Sequence, residues 1–323
     1  MLRIISFALV IFSTVISSSA IAQASWPSSP ITLIVPYAPG GYSDTRMRLL
    51  GRKLTEKLGQ PVVIENKAGA GGIVGTNLIA KANPDGYTIG CGSFAPLAIN
   101  PTLMKSIPYD ASVDLAPVIL LETSPLILSV SAQLPVKNVS ELIALAKKDP
   151  NKLTYGSSGQ GGAHHLSGEM LKAEAKIELT HVPYKGGAPA ATDLMAGHLA
   201  MMFEMGYAAL PSIKAEKIRP IAVTSLKRLA ALPNVPTMSE AGLPGFESYN
   251  WQGIVVPAKT PNAIVLRLNK AINEILQDPD MAKAIADGVS QPVGGTPESF
   301  GRFIKAEREK WAKVIKTANI TAE

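Results

Sequence analysis

Four histidines and a single cysteine are the side chains with the widest chemical range in this 323-residue chain. His164 and His165 are adjacent, so a helix would turn them to different sides, unlike the i, i+4 pair that holds zinc in H-E-x-x-H. His181 falls in a strand-like run, and His198 follows a helix-like one. Two glycine motifs approach known chemistry and miss it. In GAGGIVG, residues 69–75, Val74 stands where a dinucleotide fingerprint needs its last glycine. In GSSGQG, residues 156–161, Gln160 stands where a nucleophile elbow needs glycine. No triad or metal-ligand spacing is satisfied, so neither catalysis nor a metal or cofactor is expected.

What the sequence does supply is four glycine-rich loops, each between a strand-like and a helix-like run. They are PYAPGGYSD (36–44), NKAGAGGIVG (66–75), YGSSGQGGAHH (155–165) and PYKGGAPA (183–190). In the first, Gly40 and Gly41 allow positive φ and close backbone approach, and Ser43 or Asp44 is suited to cap the following helix. Each loop offers backbone amides and a positive helix end, which is an anion site without a fixed cation. Ser43, Ser157 and Ser158 add hydroxyls, as does Ser93 at the end of YTIGCGS. His164 opens the helix after the third loop, and Lys185 and Gly186 belong to the fourth. Glu204, in MMFEMGY, ends an apolar run, and Tyr37, Tyr42 and Tyr207 offer aromatic walls.

The elements that position these loops alternate. Strands are expected at 31–35, 61–66, 87–91, 115–122, 124–130, 152–157, 178–184, 200–205 and 218–225, with a break at Thr123 and Ser124. Helices are expected at 44–58, 72–82, 140–148 with Ser140 as N-cap, and 162–175, then from about 188 and 208. Alternation of this kind builds parallel βαβ units, an α/β fold. Residues 227–250 are rich in Pro, Gly and Ser, and 251–258 form one more strand. The rest is helical at 261–277, 279–287 and 297–318, where Phe300, Phe303, Ile304, Trp311, Val314 and Ile315 share one face. A strandless tail must pack on a sheet built earlier. The expected division is therefore a discontinuous first domain, 25–124 with 250–323, and a second domain, 125–249.

Composition agrees with a globular protein, 46% hydrophobic and 17% charged. The net charge of +6 is dispersed, so no nucleic-acid footprint is expected. Arg3, the apolar run 4–16 and Ala22-Gln23-Ala24 form a cleavable signal peptide, residues 1–24. The apolar run is short against the roughly 20 residues of a spanning helix. Cys91 alone forms no internal disulfide and reads as a small buried hydrophobe, which suits a bacterial periplasmic protein.

Three stretches, PYAPGGYSD, VVIENKAGAGGIVGTNLIAKANPDGYTI and KLTYGSSGQGGAHHLSGEM, resemble the extracytoplasmic substrate-binding proteins of tripartite tricarboxylate transporters, the Bug receptors. So do HVPYKGGAPAATDLMAGHLAMMFE, RPIAVTS, ALPNVPTMSEAGLPGFE and VPAKTPNAIVLRLN, in family order along the whole mature chain. The resemblance implies a type II periplasmic binding protein, a Venus flytrap of two α/β domains closing on a small carboxylate. It implies a monomer that serves membrane transporter subunits, with a signalling partner as the alternative. Recognition would fall to the loops at Pro39, Gly40, Gly41, Tyr42, Ser43 and Asp44, and at Ser157, Ser158, Gly159, Gly161 and Ala163. Two departures stand out. Tyr42-Ser43 replaces a small residue or Pro followed by Thr, and Phe203-Glu204-Met205-Gly206-Tyr207 replaces a pattern that begins Phe-Asp. Intact-mass spectrometry of the exported protein is expected to give a mature N-terminus at Ser25; a full-length chain held in the membrane would contradict it.

Overall fold

The computed structural model describes residues 26–184 and 186–321; the signal peptide and Lys185 lie outside them. In chain order the first elements are β1 (Ile31–Val35), α1 (Tyr42–Leu58), β2 (Val62–Asn66), α2 (Ile73–Ala80), β3 (Thr88–Ser93) and α3 (Asn100–Leu103). Next come β4 (Leu115–Ser131), α4 (Val139–Lys148), β5 (Thr154–Ser157), α5 (Ala163–Ala175), β6 (Thr180–Pro183) and α6 (Gly187–Ala196). Then follow β7 (Met201–Met205), α7 (Gly206–Lys214), β8 (Ile218–Val223), β9 (Tyr249–Pro257), α8 (Asn262–Leu276), α9 (Pro279–Asp287), β10 (Gln291–Gly294) and α10 (Pro297–Thr317).

The strands lie in the order β2-β1-β3-β9-β4-β7-β5-β6, with β8 and β10 also paired to β4. β1 is parallel to β2 and β3, and β5 is parallel to β6 and β7. β4 is antiparallel to all its partners, meeting β9 and β10 along its first part and β7 and β8 from Leu126 onward. It therefore belongs to both groups of strands, and β9 returns the chain beside it.

Three expectations are corrected here. β4 is one strand and not two, because Thr123 and Ser124 keep register with Trp251 and Asn250 through the polar stretch. Pro125 has no amide to donate, and the next amide, Leu126, donates to the Thr224 hydroxyl at 2.8 Å. The tail is not strandless, since β10 pairs with β4 at Glu122 and Thr123; its sequence, QPVG, is too short and Pro-broken to show a period. The α4 cap is Asn138 and not Ser140: Asn138 Oδ1 accepts from the Glu141 amide at 2.9 Å, while Glu141 Oε2 accepts from the Lys137 amide at 2.7 Å. A wide helical turn at Ala95–Ile99 leading into α3 was not legible either.

One face of the first strand group is covered by α1 and α8, through Met47, Leu50, Leu54, Leu268 and Ile272. The amphipathic α10 closes the other face and also packs on α5, so it touches both strand groups. There Phe94 meets Trp251 and Trp311 edge-on at 6.2 and 5.4 Å, and Phe300 meets Trp251 at 6.0 Å. Buried Glu307 accepts from both indole nitrogens at 3.0 Å and from Lys310 at 3.2 Å. Glu307→Leu is expected to destabilise the protein by about 2–5 kcal/mol, because it strands two buried donors, whereas Glu307→Gln keeps an acceptor and loses less. Urea denaturation of the three proteins measures the difference.

Candidate ligand cleft

The loop between β1 and α1 is laced by Asp44. Its Oδ2 accepts from the Gly40 amide at 2.8 Å and Arg48 Nε at 3.0 Å, and its Oδ1 accepts from Asn66 Nδ2 at 2.8 Å. Asn66 also donates to the Tyr37 carbonyl at 3.0 Å, tying the loop to the end of β2. The Arg48 bond first, and then the Gly40 and Asn66 bonds, hold the Asp44 carboxyl down at about 2. Neither Ser43 nor Asp44 caps α1. The N-cap is Gly41, without a side-chain bond. Ser43 turns instead toward the Cys91 thiol, which burial pushes up to about 12. Gly40 has φ 79° and open space at its Cβ position, so glycine is required by its backbone. Gly41 has φ −77° and needs no glycine for conformational reasons, contrary to the expectation from sequence. Pro39 is exposed beside them.

Tyr42 crosses between the strand groups. Its hydroxyl bonds the Ser124 and Ser290 hydroxyls, the latter at 3.0 Å, and these two serines bond each other at 2.6 Å. Its ring stacks on Tyr207 at 5.6 Å with 7° between planes, and Arg46 lies 5.9 Å from its centre. Arg46 is itself held by buried Glu122, whose Oε1 accepts from Arg46 Nε at 2.8 Å and Gln252 Nε2 at 2.6 Å. Tyr37 bonds the Ser93 hydroxyl at 2.8 Å. In the second loop Gly72 and Gly75 are packing glycines, because a Cβ would lie 2.7 Å from Pro96 and from Pro36 respectively.

In the third loop Ser157 turns beneath the loop and is fully buried. Its hydroxyl donates to the Gly159 carbonyl at 3.0 Å and accepts from the Gly159 amide at 3.1 Å. It also meets His181 Nε2 at 2.7 Å, which assigns the imidazole proton to that nitrogen. His165 Nδ1 accepts from the Gly161 amide at 3.1 Å, and the two imidazoles stack at 4.0 Å. Ser157 is thus spent inside the fold. Half-buried Ser158 sits at the head of α5, with its hydroxyl 3.5 Å from the Cβ position of Gly162. Gly161 abuts Leu103 from the other strand group, where a Cβ would come within 2.5 Å. Ala163 is the first residue of α5.

His164 is buried, and neither ring nitrogen has a hydrogen-bond partner. Burial pushes it down to about 4, so it is neutral at pH 7. Its Cε1 lies 3.8 Å from the Cβ position of Gly187, which opens α6 just after Gly186. Glu204 is also buried, with Oε2 unpartnered, and burial raises its carboxyl to about 7. Gly206, opening α7, abuts Val289 across the strand groups. The structure thus brings the heads of α1, α5, α6 and α7 to the strand ends, while Asp44, Ser43 and Ser157 face inward. Sequence reasoning missed Ser124, Ser290, Asn66, Arg46 and His181; a lone Glu122 in an apolar strand was the one available signal. Among the described residues no cluster of three His, Cys, Asp or Glu side chains is placed for a metal. A groove of about 480 Å³, lined by Leu115, Pro117, Ile304 and Arg308, lies at α10, away from these loops.

The family model of the tripartite tricarboxylate transporter family receptor matches residues 47–320. The chain belongs to this family. It is 36% identical over 317 residues to Protein BugT of Bordetella pertussis, covering 98% of this chain and 97% of that protein. Among solved structures, R. palustris Rpa4515 with adipate has a TM-score of 0.82 at 38% identity, covering 92% of this chain and 99% of that one. MatC from Rhodopseudomonas palustris with bound malate has a TM-score of 0.78 at 31% identity, covering 90% and 100%. The fold is that of the type II periplasmic binding proteins, and the family consists of substrate-binding receptors and not of enzymes. The resemblance to Bug receptors is borne out.

The depressed Asp44 carboxyl gives a pH signature. An ordinary Asp titrates near ~3.9, so the folded state binds this proton less readily than the unfolded state. The stability Asp44 contributes is full above about pH 4 and is lost as pH falls toward about 2. Asp44→Asn is therefore expected to be less stable than the native chain at pH 7, with the gap closing over that acid range in denaturant titrations; a gap independent of pH would refute the ionised, loop-lacing role.

Proposed function

We propose that the chain is a periplasmic receptor that captures a small organic carboxylate in the cleft between the two strand groups and delivers it to the membrane subunits of a tripartite tricarboxylate transporter. The carrying observation is the convergence of four helix heads at strand ends, with buried, unpartnered His164 beside the heads of α5 and α6. Unpaired amides and a neutral imidazole donor bind an anion without an ion pair. The adipate and malate held by the two structural relatives support a carboxylate ligand. The binding groups in this reading are the loop backbones at Gly41, Ser158 and Gly186, held in place by the Gly40 and Gly159 amides bonded to Asp44 and Ser157, with Tyr42 and Tyr207 as a wall and Tyr37 and Ser93 behind them. Residues 25–124 with 250–323, and 125–249, are the two domains. They close as a monomer about β4 and β9.

A thermal-shift screen over aliphatic and aromatic carboxylic acids tests the reading. A ligand at a hundredfold its Kd adds about 2.7 kcal/mol to folding and raises Tm. Small-angle scattering with that acid is expected to show a smaller radius of gyration than without it; no change at saturation would contradict closure. If no acid shifts Tm, the carboxylate assignment falls.

A further inference from the structure

Two titratable side chains in the second strand group are more than nine-tenths buried and carry buried polar atoms with no hydrogen bond to any described residue: Glu204, 3% exposed, at its Oε2, and His164, 8% exposed, at both ring nitrogens. They lie at the same edge of the sheet. β5 and β7 are parallel neighbours in the register Tyr155↔Met201 and Gly156↔Met202, which carries Ser158 level with Glu204. Alternation along β7 puts Glu204 on the face of Met202, which packs with Ala190 and Leu194 of α6. His164 approaches that same helix at its first residue, Gly187. Glu204 thus lies on the α6 side of the sheet, and His164 reaches the head of that helix.

Their chemistry is opposite. A neutral imidazole beside two helix heads donates to an anion. An ionised carboxylate there only accepts, and a second anion brought against it in a desolvated site is repelled. We propose that Glu204 selects a carboxylate ligand with a hydrogen-bond donor, such as a hydroxyl or ammonium, at its far end, while His164 and the heads of α5 and α6 take the carboxylate. This rests on the receptor reading above and narrows its substrate class. A simple dicarboxylate is the disfavoured ligand, because its second anion meets Glu204.

Beside Glu204 stand Tyr207 of α7, with Tyr42 of α1 stacked on it, Ile127 opposite in β4, and the uncharged Ser158 level with it after β5. Burial raises both tyrosines above their ordinary range and holds His164 near 4, so these three keep their charge between about pH 6 and pH 8. Glu204 changes its charge within that window.

Isothermal titration of the native chain at about pH 8 compares matched acids: succinate with γ-hydroxybutyrate and γ-aminobutyrate, adipate with ε-hydroxycaproate and ε-aminocaproate, and terephthalate with para-hydroxybenzoate and para-aminobenzoate. For the scaffold that binds, the donor-ended acid is expected to be at least about tenfold tighter than the dianion, the scale of one bond to a charged group. Glu204→Gln, which presents both a donor and an acceptor, is expected to shrink that ratio to about threefold or less. Lowering the native chain to about pH 6, where a protonated Glu204 can itself donate, is expected to shrink it as well, so the test survives a variant that folds poorly. Dicarboxylates binding as tightly as their donor-ended partners at pH 8, or a ratio unmoved by both the substitution and the pH, would overturn the proposal and leave the carboxylate receptor standing. Binding of no acid in the panel would overturn both.

Discussion

β4 and β9 run antiparallel from Leu115↔Pro257 to Pro125↔Tyr249, and then β4 exchanges β9 for β7 and β8. Every loop at the cleft depends on that exchange. Thr123, Ser124 and Pro125 sit at the changeover and cannot fill a dry core as Val or Ile would. Polar atoms there are satisfied across the junction instead: the Ser124 hydroxyl by Tyr42 and Ser290, and the neighbouring Leu126 amide by Thr224. Besides these two extended strands, one apolar cluster that includes Trp251, Trp311, Leu166 and Phe203 bridges the two groups. The same stretch that reads as a break in the sequence is thus the place where the two strand groups join.

Electrostatics follow from burial. Among the described residues the cations nearest the first loop are already engaged: Arg48 by Asp44, and Arg46 by Glu122 and the Ala284 carbonyl. A buried ion pair gains little over an apolar pair, but breaking it is expensive, so Arg46 is not free to leave Glu122 for a solute. What remains uncommitted is the set of amides that α-helices leave open at their heads, and two buried side chains whose own charges burial suppresses.

The alternation of apolar runs and amphipathic helices made the α/β class legible, because periodicity reports burial directly. Element unity was less legible. The polar centre of β4 looks like a turn when its ladder partners, over a hundred residues away, are unknown, and QPVG of β10 is too short to show a period. In the cleft, glycine spacing located the loops, yet the direction of each hydroxyl was hidden. Ser43 and Ser157 are the side chains a sequence reading assigns to a ligand, but a rotation of one helical position or one strand residue turns them to Cys91 and His181. Glu204 illustrates the converse. In the sequence it only ends an apolar run, and the structure shows it buried opposite Ile127 of β4.

These inward-facing polar residues have a common consequence. Asp44 fixes the Gly40 amide, His165 fixes the Gly161 amide, and Ser157 binds both the amide and the carbonyl of Gly159. The first and third glycine loops, flexible by composition, are thereby held in one shape by side chains beneath them. Ordering a loop on binding costs about 1–2 kcal/mol per residue in backbone freedom, and here that cost is met during folding. Backbone amides carry no sequence identity of their own, so the shape imposed from below, together with Tyr42 stacked on Tyr207 at 5.6 Å, is what distinguishes this cleft from others built on the same loops. Selectivity then lies in the residues that hold the amides as much as in the amides that face the solute.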